Sequence, residues 1–348
     1  MRPQLARQSV VFASLVCIAA CGSSSGGASS GPPTGPSPPA AVSLSINGVT
    51  FFERTGETAS FSGAVRRTDG SQQTVTSEAA WQSSRPDVAS VAADGVVTAN
   101  APGRARITAS FGGVSGSMDV AVPLVGGATR VVRLVYGVPQ GVAFRDDYRR
   151  ALRNAFVNLQ WWYRDQMGGP VFSLYSFTPD ECQLPRDEAY YLDNTYSKVV
   201  SDTQRCQPIR SGSNPTTAWV LYVDLLHGCN APGRLGVGSP GLTIMGRGDL
   251  QGLASLPVQG DCGPETGFGV GRYIGGAGHE LGHAFGLPHP PGCDANGAAC
   301  DHRALMWSGY SAYPDTYLRD DDKQKLAASP FFSASVQRLW DSFGMPRP

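Results

Sequence analysis

Apolar and polar side chains alternate in short runs between residues 42 and 123, as in Val42-Ser43-Leu44-Ser45-Ile46, Ala59-Ser60-Phe61-Ser62-Gly63 and Ala105-Arg106-Ile107-Thr108-Ala109. Turn signals separate the runs at Asp69-Gly70, Asp94-Gly95 and Pro102-Gly103. A period of two broken by turns predicts an all-β antiparallel sandwich. Past residue 128 the pattern changes. Strands are predicted over 130–136, 171–175, 218–224 and 241–245, the last as an edge strand bounded by glycines. A long amphipathic helix over 146–166 carries Ala151, Leu152, Ala155, Phe156, Leu159 and Trp162 on one side and stops at Gly168-Gly169-Pro170. Strands alternating with helices predict an α+β domain over residues 128–348, built on a mixed sheet with a helical cover.

The ends of this pattern are different in kind. Arg2 and Arg7 precede an apolar run over 10–20 that is too short to span a bilayer, so residues 1–20 read as a signal peptide. Residues 21–41 begin as Ser, Gly, Pro and Thr with almost nothing to bury, which makes them an extended tether. With 348 residues and 41% hydrophobic content, two packed domains are expected. The charge balance is 28 basic to 28 acidic side chains, so no electrostatic footprint for nucleic acid exists.

Eight cysteines occur. With Cys17 and Cys21 set aside in the leader and at its end, Cys182, Cys206, Cys229, Cys262, Cys293 and Cys300 remain. An even number in an exported domain reads as disulfides, and sequential pairing is the expectation among the connectivities that stay open. No Cys-x-x-Cys occurs, which argues against a cysteine metal site.

The chemistry concentrates in Gly278-His279-Glu280-Leu281-Gly282-His283-Ala284-Phe285-Gly286-Leu287-Pro288-His289. On a helix, His279 and His283 project side by side, able to bind one zinc ion with Glu280 beside it. A glycine at 286 permits positive φ, ends the helix and turns the chain so that His289 returns as a third ligand. Only five histidines exist in the chain. Chance assembly of three of them at this spacing, with the glutamate and glycine, is on the order of one in a million.

Several stretches resemble known families. Ile18-Ala19-Ala20-Cys21-Gly22 resembles the lipobox of bacterial lipoproteins, implying a lipid anchor on Cys21 and a place at the outer membrane or cell surface. Ordinary cleavage after Ala20 would instead leave a free thiol. The stretch from Trp81 to Val91, with Asp94-Gly95-Val96-Val97-Thr98-Ala99 and the run from Gly103 to Ala109, resembles bacterial immunoglobulin-like (Ig-like) modules, implying an Ig-like sandwich over 42–123. Such a module serves as a spacer or binds a surface partner. The histidine motif resembles the metzincin metalloproteases at every fixed position of His-Glu-x-x-His-x-x-Gly-x-x-His. Ala304-Leu305-Met306-Trp307-Ser308-Gly309-Tyr310 resembles the matrixin methionine turn, with Ser308 in place of proline. That implies Met306 beneath the zinc and Tyr310 as a wall of the substrate pocket. The insert before it, holding Cys293 and Cys300, is expected to form a disulfide-closed loop near the cleft.

These resemblances imply a monomeric, membrane-anchored zinc endopeptidase acting on protein or peptide, with Glu280 as general base and then as proton donor to the leaving amine. Extended substrate is expected to pair with the strand near Leu242–Met245. Two other classes stay open: a non-catalytic adhesion lipoprotein, disfavoured by the retained Glu280, and a zinc hydrolase of a non-peptide amide. His227 and His302 read as loop or surface histidines, and Asp320-Asp321-Asp322 as a helix start. Metzincins often carry structural calcium, for which no recognisable loop occurs here.

Overall fold

The computed structural model describes residues 39–126, 128–212, 215–226, 235–260, 263–265, 267–295 and 297–332. The leader with Cys21, most of the tether, His227, Cys229 and Cys262 lie outside the described residues. Described residues from Ala40 onward cluster as one unit.

The N-terminal part is a β-sandwich. Its strands are β1 (Ala41–Asn47), β2 (Thr58–Ser60), β3 (Ser62–Arg67), β4 (Gln72–Thr74), β5 (Ala80–Ser83), β6 (Ala89–Val91), β7 (Val96–Ala99), β8 (Gly103–Phe111) and β9 (Val114–Val122). They pair antiparallel in three small sheets, β1-β3-β4, β5-β8-β9 and β2-β7-β6. Alternation decides the burial: on β8, Ala105, Ile107 and Ala109 are buried while Arg104 and Arg106 are exposed. Phe52, Phe61, Val97, Ile107 and Val120 fill the space between sheets.

The second part is α/β, around a six-stranded mixed sheet of β10 (Val131–Val138), β11 (Ser173–Leu174), β12 (Asp180–Gln183), β13 (Thr217–Val223), β14 (Val237–Ser239) and β15 (Leu242–Met245). The order is β11-β10-β13-β15-β14, with β12 also on β10; every pairing is parallel except β14 on β15. Strand β13 shows how both faces are used. Ala218, Val220 and Tyr222 point into the larger core, and Trp219, Leu221 and Val223 into a second one. The larger core lies under helices α1 (Asp146–Met167), α4 (Arg247–Leu253) and α5 (Val270–Ala284); the second is closed by α2 (Glu188–Tyr191) and α3 (Thr195–Thr203), where a disulfide joins Cys182 to Cys206. Helix α6 (Asp320–Ala328) starts at the three aspartates as expected. Among the described residues, no helix is long and apolar enough to cross a membrane.

One expectation is corrected here. The strand Leu242–Met245 is not at the edge: it lies between β13 and β14, and all four of its residues are buried. The outermost strand is β14. An unbroken Leu-Thr-Ile-Met run is what burial on both faces selects, whereas the half-exposed Val237-Gly238-Ser239 suits an edge.

The sandwich is fastened to the second part. Ala121 and Leu124 belong to the larger core, and the buried Gln160 of α1 holds the connecting chain through Leu124 N–H (3.0 Å), Leu124 O (2.9 Å) and Phe172 O (2.9 Å). Arg153 pairs with Glu53 at 3.1 Å, and Arg104 with Asp165.

Candidate metal centre

Helix α5 is a poor helix on intrinsic grounds. Gly271, Gly275, Gly276, Gly278 and Gly282 each cost about 1 kcal/mol against alanine. Tertiary contact requires some of them: a Cβ on Gly278 would lie 2.7 Å from Leu159 of α1, and one on Gly282 would collide with the sulfur of Met306. The helix therefore exists because it is packed, and the packing sets where its histidines stand.

Helix α5 ends at Ala284; Gly286 takes φ 93°, and the chain turns back to bring His289 beside the helix. The Nε2 atom of His283 is 3.1 Å from that of His279 and 3.1 Å from that of His289. Each ring is held from its far side. Nδ1 of His279 donates to Leu305 O (2.8 Å), Nδ1 of His283 to Leu287 O (2.7 Å), and Nδ1 of His289 to Asp294 Oδ1 (2.6 Å). Carbonyl and carboxylate oxygens only accept, so the proton sits on Nδ1 and a lone pair on every Nε2. Three lone pairs then face one point. Without a cation they repel; with tetrahedral Zn–N bonds of about 2.0–2.1 Å they would stand about 3.3 Å apart, close to the two separations from His283, and all three ligand atoms lie within 4.8 Å of one another. The donor set fits zinc. Burial pushes His279 down to about 4, with His283 beside it adding to the shift, and burial lowers His283 as well, so both are neutral ligands at pH 7.

Around this point lie the other expected residues. Glu280 is half-buried on the same helix, and its backbone carbonyl accepts from Thr243 Oγ1 at 3.0 Å. A Cβ on Gly238 of β14 would collide with the Glu280 carbonyl and lie 2.7 Å from the His283 Cβ and 3.0 Å from Glu280 Oε2, so the edge strand packs against α5 at residues 280–283. Met306 is fully buried beneath Gly282. The Tyr310 ring stands 5.4 Å from that of His279. Cys293 is bonded to Cys300, closing the loop that carries Asp294. His302 is exposed and apart from the cluster; its neighbour Asp301 accepts from Tyr317.

Sequence reasoning missed Asp294, Gly238 and Trp307, whose ring meets that of His289 at 4.9 Å. Asp294 had a signal, an acid next to a cysteine just past the third histidine. Gly238 had none, because its contact belongs to a strand 42 residues from Glu280.

Comparison with known proteins agrees in part. Residues 54–122 match the family model for the bacterial Ig-like domain (group 2), so the sandwich is Ig-like. No curated protein matches the chain. Among solved structures, wild-type OgpA from Akkermansia muciniphila is similar at 20% identity and TM-score 0.42, covering 60% of this chain and 63% of that one. A catalytically inactive OgpA in complex with an O-glycopeptide substrate gives 17% identity and TM-score 0.41, over 61% and 64%. Archaemetzincin from Methanopyrus kandleri gives 11% and 0.28, over 62% of this chain and 96% of that one. The chain thus spans less than two thirds of the length of OgpA, and all three likenesses are distant.

Proposed function

We propose that the chain is a zinc-dependent endopeptidase, exported as a lipoprotein with Cys21 as its anchor. The observation that carries this reading is the convergence of three Nε2 lone pairs beside a carboxylate, at a face bordered by a sheet edge. His279, His283 and His289 would hold the zinc, which would supply Lewis acidity to water and to a substrate carbonyl.

The chain's own residues do the rest. Glu280, next to His279 in the chain, takes the proton of the attacking water and returns it to the leaving amine nitrogen, a double role open to a carboxylate. Thr243 fixes the backbone at Glu280 and so steadies that side chain. The outer edge of β14 offers its N–H and C=O groups to an extended peptide, placing a backbone carbonyl over the histidine cluster. Tyr310 walls the cleft beside His279, since its ring lies against the ligand. Met306 packs under the cluster and supports it.

The test uses the full chain on an unfolded protein, with and without a zinc chelator, mapping new termini by mass spectrometry. Internal, chelator-sensitive cuts are expected. Glu280→Gln should keep one zinc per chain and lose about 10³-fold in rate, while His283→Ala should lose the metal. Unchanged turnover in E280Q would overturn the mechanism.

A further inference from the structure

Positions 272, 276, 279, 280 and 283 of α5 share one face, since steps of four, seven, eight and eleven residues return close to the same side of a helix. Two are the metal-facing imidazoles, one is Glu280, and Gly276 has no side chain. The fifth is Arg272. Its guanidinium lies over Gly276, where a Cβ would be 3.1 Å from Nη1, so it runs along the helix toward His279. Its Cζ is 5.1 Å from the centroid of the Tyr310 ring, 5.1 Å from that of Tyr273 and 5.8 Å from that of Phe268. The Tyr310 ring that meets this cation also lies 5.4 Å from the ring of His279, the first histidine of the cluster.

Among the described residues, the guanidinium meets rings and pairs with no anion. Several other half-buried arginines pair with carboxylates: Arg133 with Asp180, Arg153 with Glu53, and Arg247 with Asp224 and Glu188. Among the described residues no carboxylate pairs with Arg272, whose contacts are aromatic. Rings occupy the faces of a guanidinium and leave its edge, with five N–H donors in a fixed fork, to whatever acceptor arrives. A carboxylate matches the fork with two parallel, charge-assisted bonds. Phe268 and Val270, 54% and 41% exposed, leave apolar surface uncovered at the same end of the helix.

We propose that Arg272, framed by Phe268 and Tyr310, is a carboxylate-binding subsite of the cleft, selecting peptides with an Asp or Glu side chain near the bond to be cut. The proposal rests on the peptidase reading and names its substrate class. The same chemistry is available from a peptide's free C-terminus, and the test separates the two sources.

The full chain carrying Glu280→Gln, loaded with zinc, is titrated into fluorescent peptides that differ only by Glu or Gln at one scanned position, with amidated C-termini, and anisotropy is read. At one position Glu should bind about tenfold tighter than Gln. Adding Arg272→Ala should bring the Glu peptide down to the Gln peptide and leave the latter unchanged. Arg272→Lys, which keeps the charge but not the fork, should retain part of the preference and guards against a misfolded alanine variant. A gain seen only with a free carboxyl terminus upholds the carboxylate site and assigns it to the peptide end. Equal binding of Glu, Gln and free-acid peptides, or an R272A that weakens all of them alike, overturns it. Failure of the peptidase reading is distinct: the protein with Glu280 intact would then cut none of these peptides, whichever it binds.

Discussion

Three imidazoles share one point only while uncharged, and burial enforces this at His279. In the metal-free protein that side chain sits at about 4, chiefly through desolvation. In the unfolded chain it returns to about 6.5. Between these values the unfolded state binds the additional proton, so the stability contributed by a neutral His279 is complete above about pH 6.5 and declines as the pH falls toward 4. At about 1.4 kcal/mol per pKa unit the loss is roughly 3 kcal/mol. Urea midpoints of the chelated protein at pH 7 and 4.5 measure it, and His279→Gln should show a smaller decline. At this scale the motif was plainly legible, since each of its histidines stands in the cluster that its spacing implied. Their Nδ1 partners were not, because two of the three are backbone carbonyls, which every residue possesses.

At the scale of elements, the third histidine differs from the other two. His279 and His283 ride on a packed helix and are held by main-chain oxygens, while His289 lies on an irregular segment and is held by a side chain from the Cys293–Cys300 loop. That loop is therefore a fastener for one ligand. Removing the carboxylate in Asp294→Ala should weaken zinc binding by about tenfold, the low end for such partners because Asp294 is largely exposed. Competition with a chromophoric chelator reads the constant; an unchanged zinc affinity would show that the loop plays no part in holding the ligand. The sheet edge is the element that pattern alone misplaced. A short apolar strand and a shorter half-polar one follow each other at 237–245, and only pairing decides which lies outside.

Across the whole molecule, the Ig-like sandwich and the histidine-bearing part are joined by core residues as well as by chain. Gln160 is fully buried and spends its amide on the segment leading out of β9, and Ala121 and Leu124 extend the larger core. The core continues through α1 to α5, where Leu159 meets Gly278 one residue before His279. A chain begun at residue 128 would leave the Gln160 amide short of two partners, at about 1–3 kcal/mol for a buried unsatisfied group, and should melt about 5–10 °C below the full chain. Equal melting temperatures would show that the docked sandwich contributes nothing to the stability of the histidine-bearing part. A sandwich acting as a spacer would thus be joined to the second part by packing and hydrogen bonds as well as by chain.

The sequence by itself determined what depends on local spacing: the alternation of the sandwich, the helix stop at Gly286 and the three histidines with Glu280. Each follows from the period of a helix or strand, or from the reach of a short loop. Tertiary structure alone decided the rest. It set β14 outside β15, Gly238 against Glu280, Tyr310 beside both Arg272 and His279, and the sandwich against α1. These are contacts between residues far apart in the chain, whose free energy comes from mutual burial and shape, and no one-dimensional pattern carries the identity of the partner.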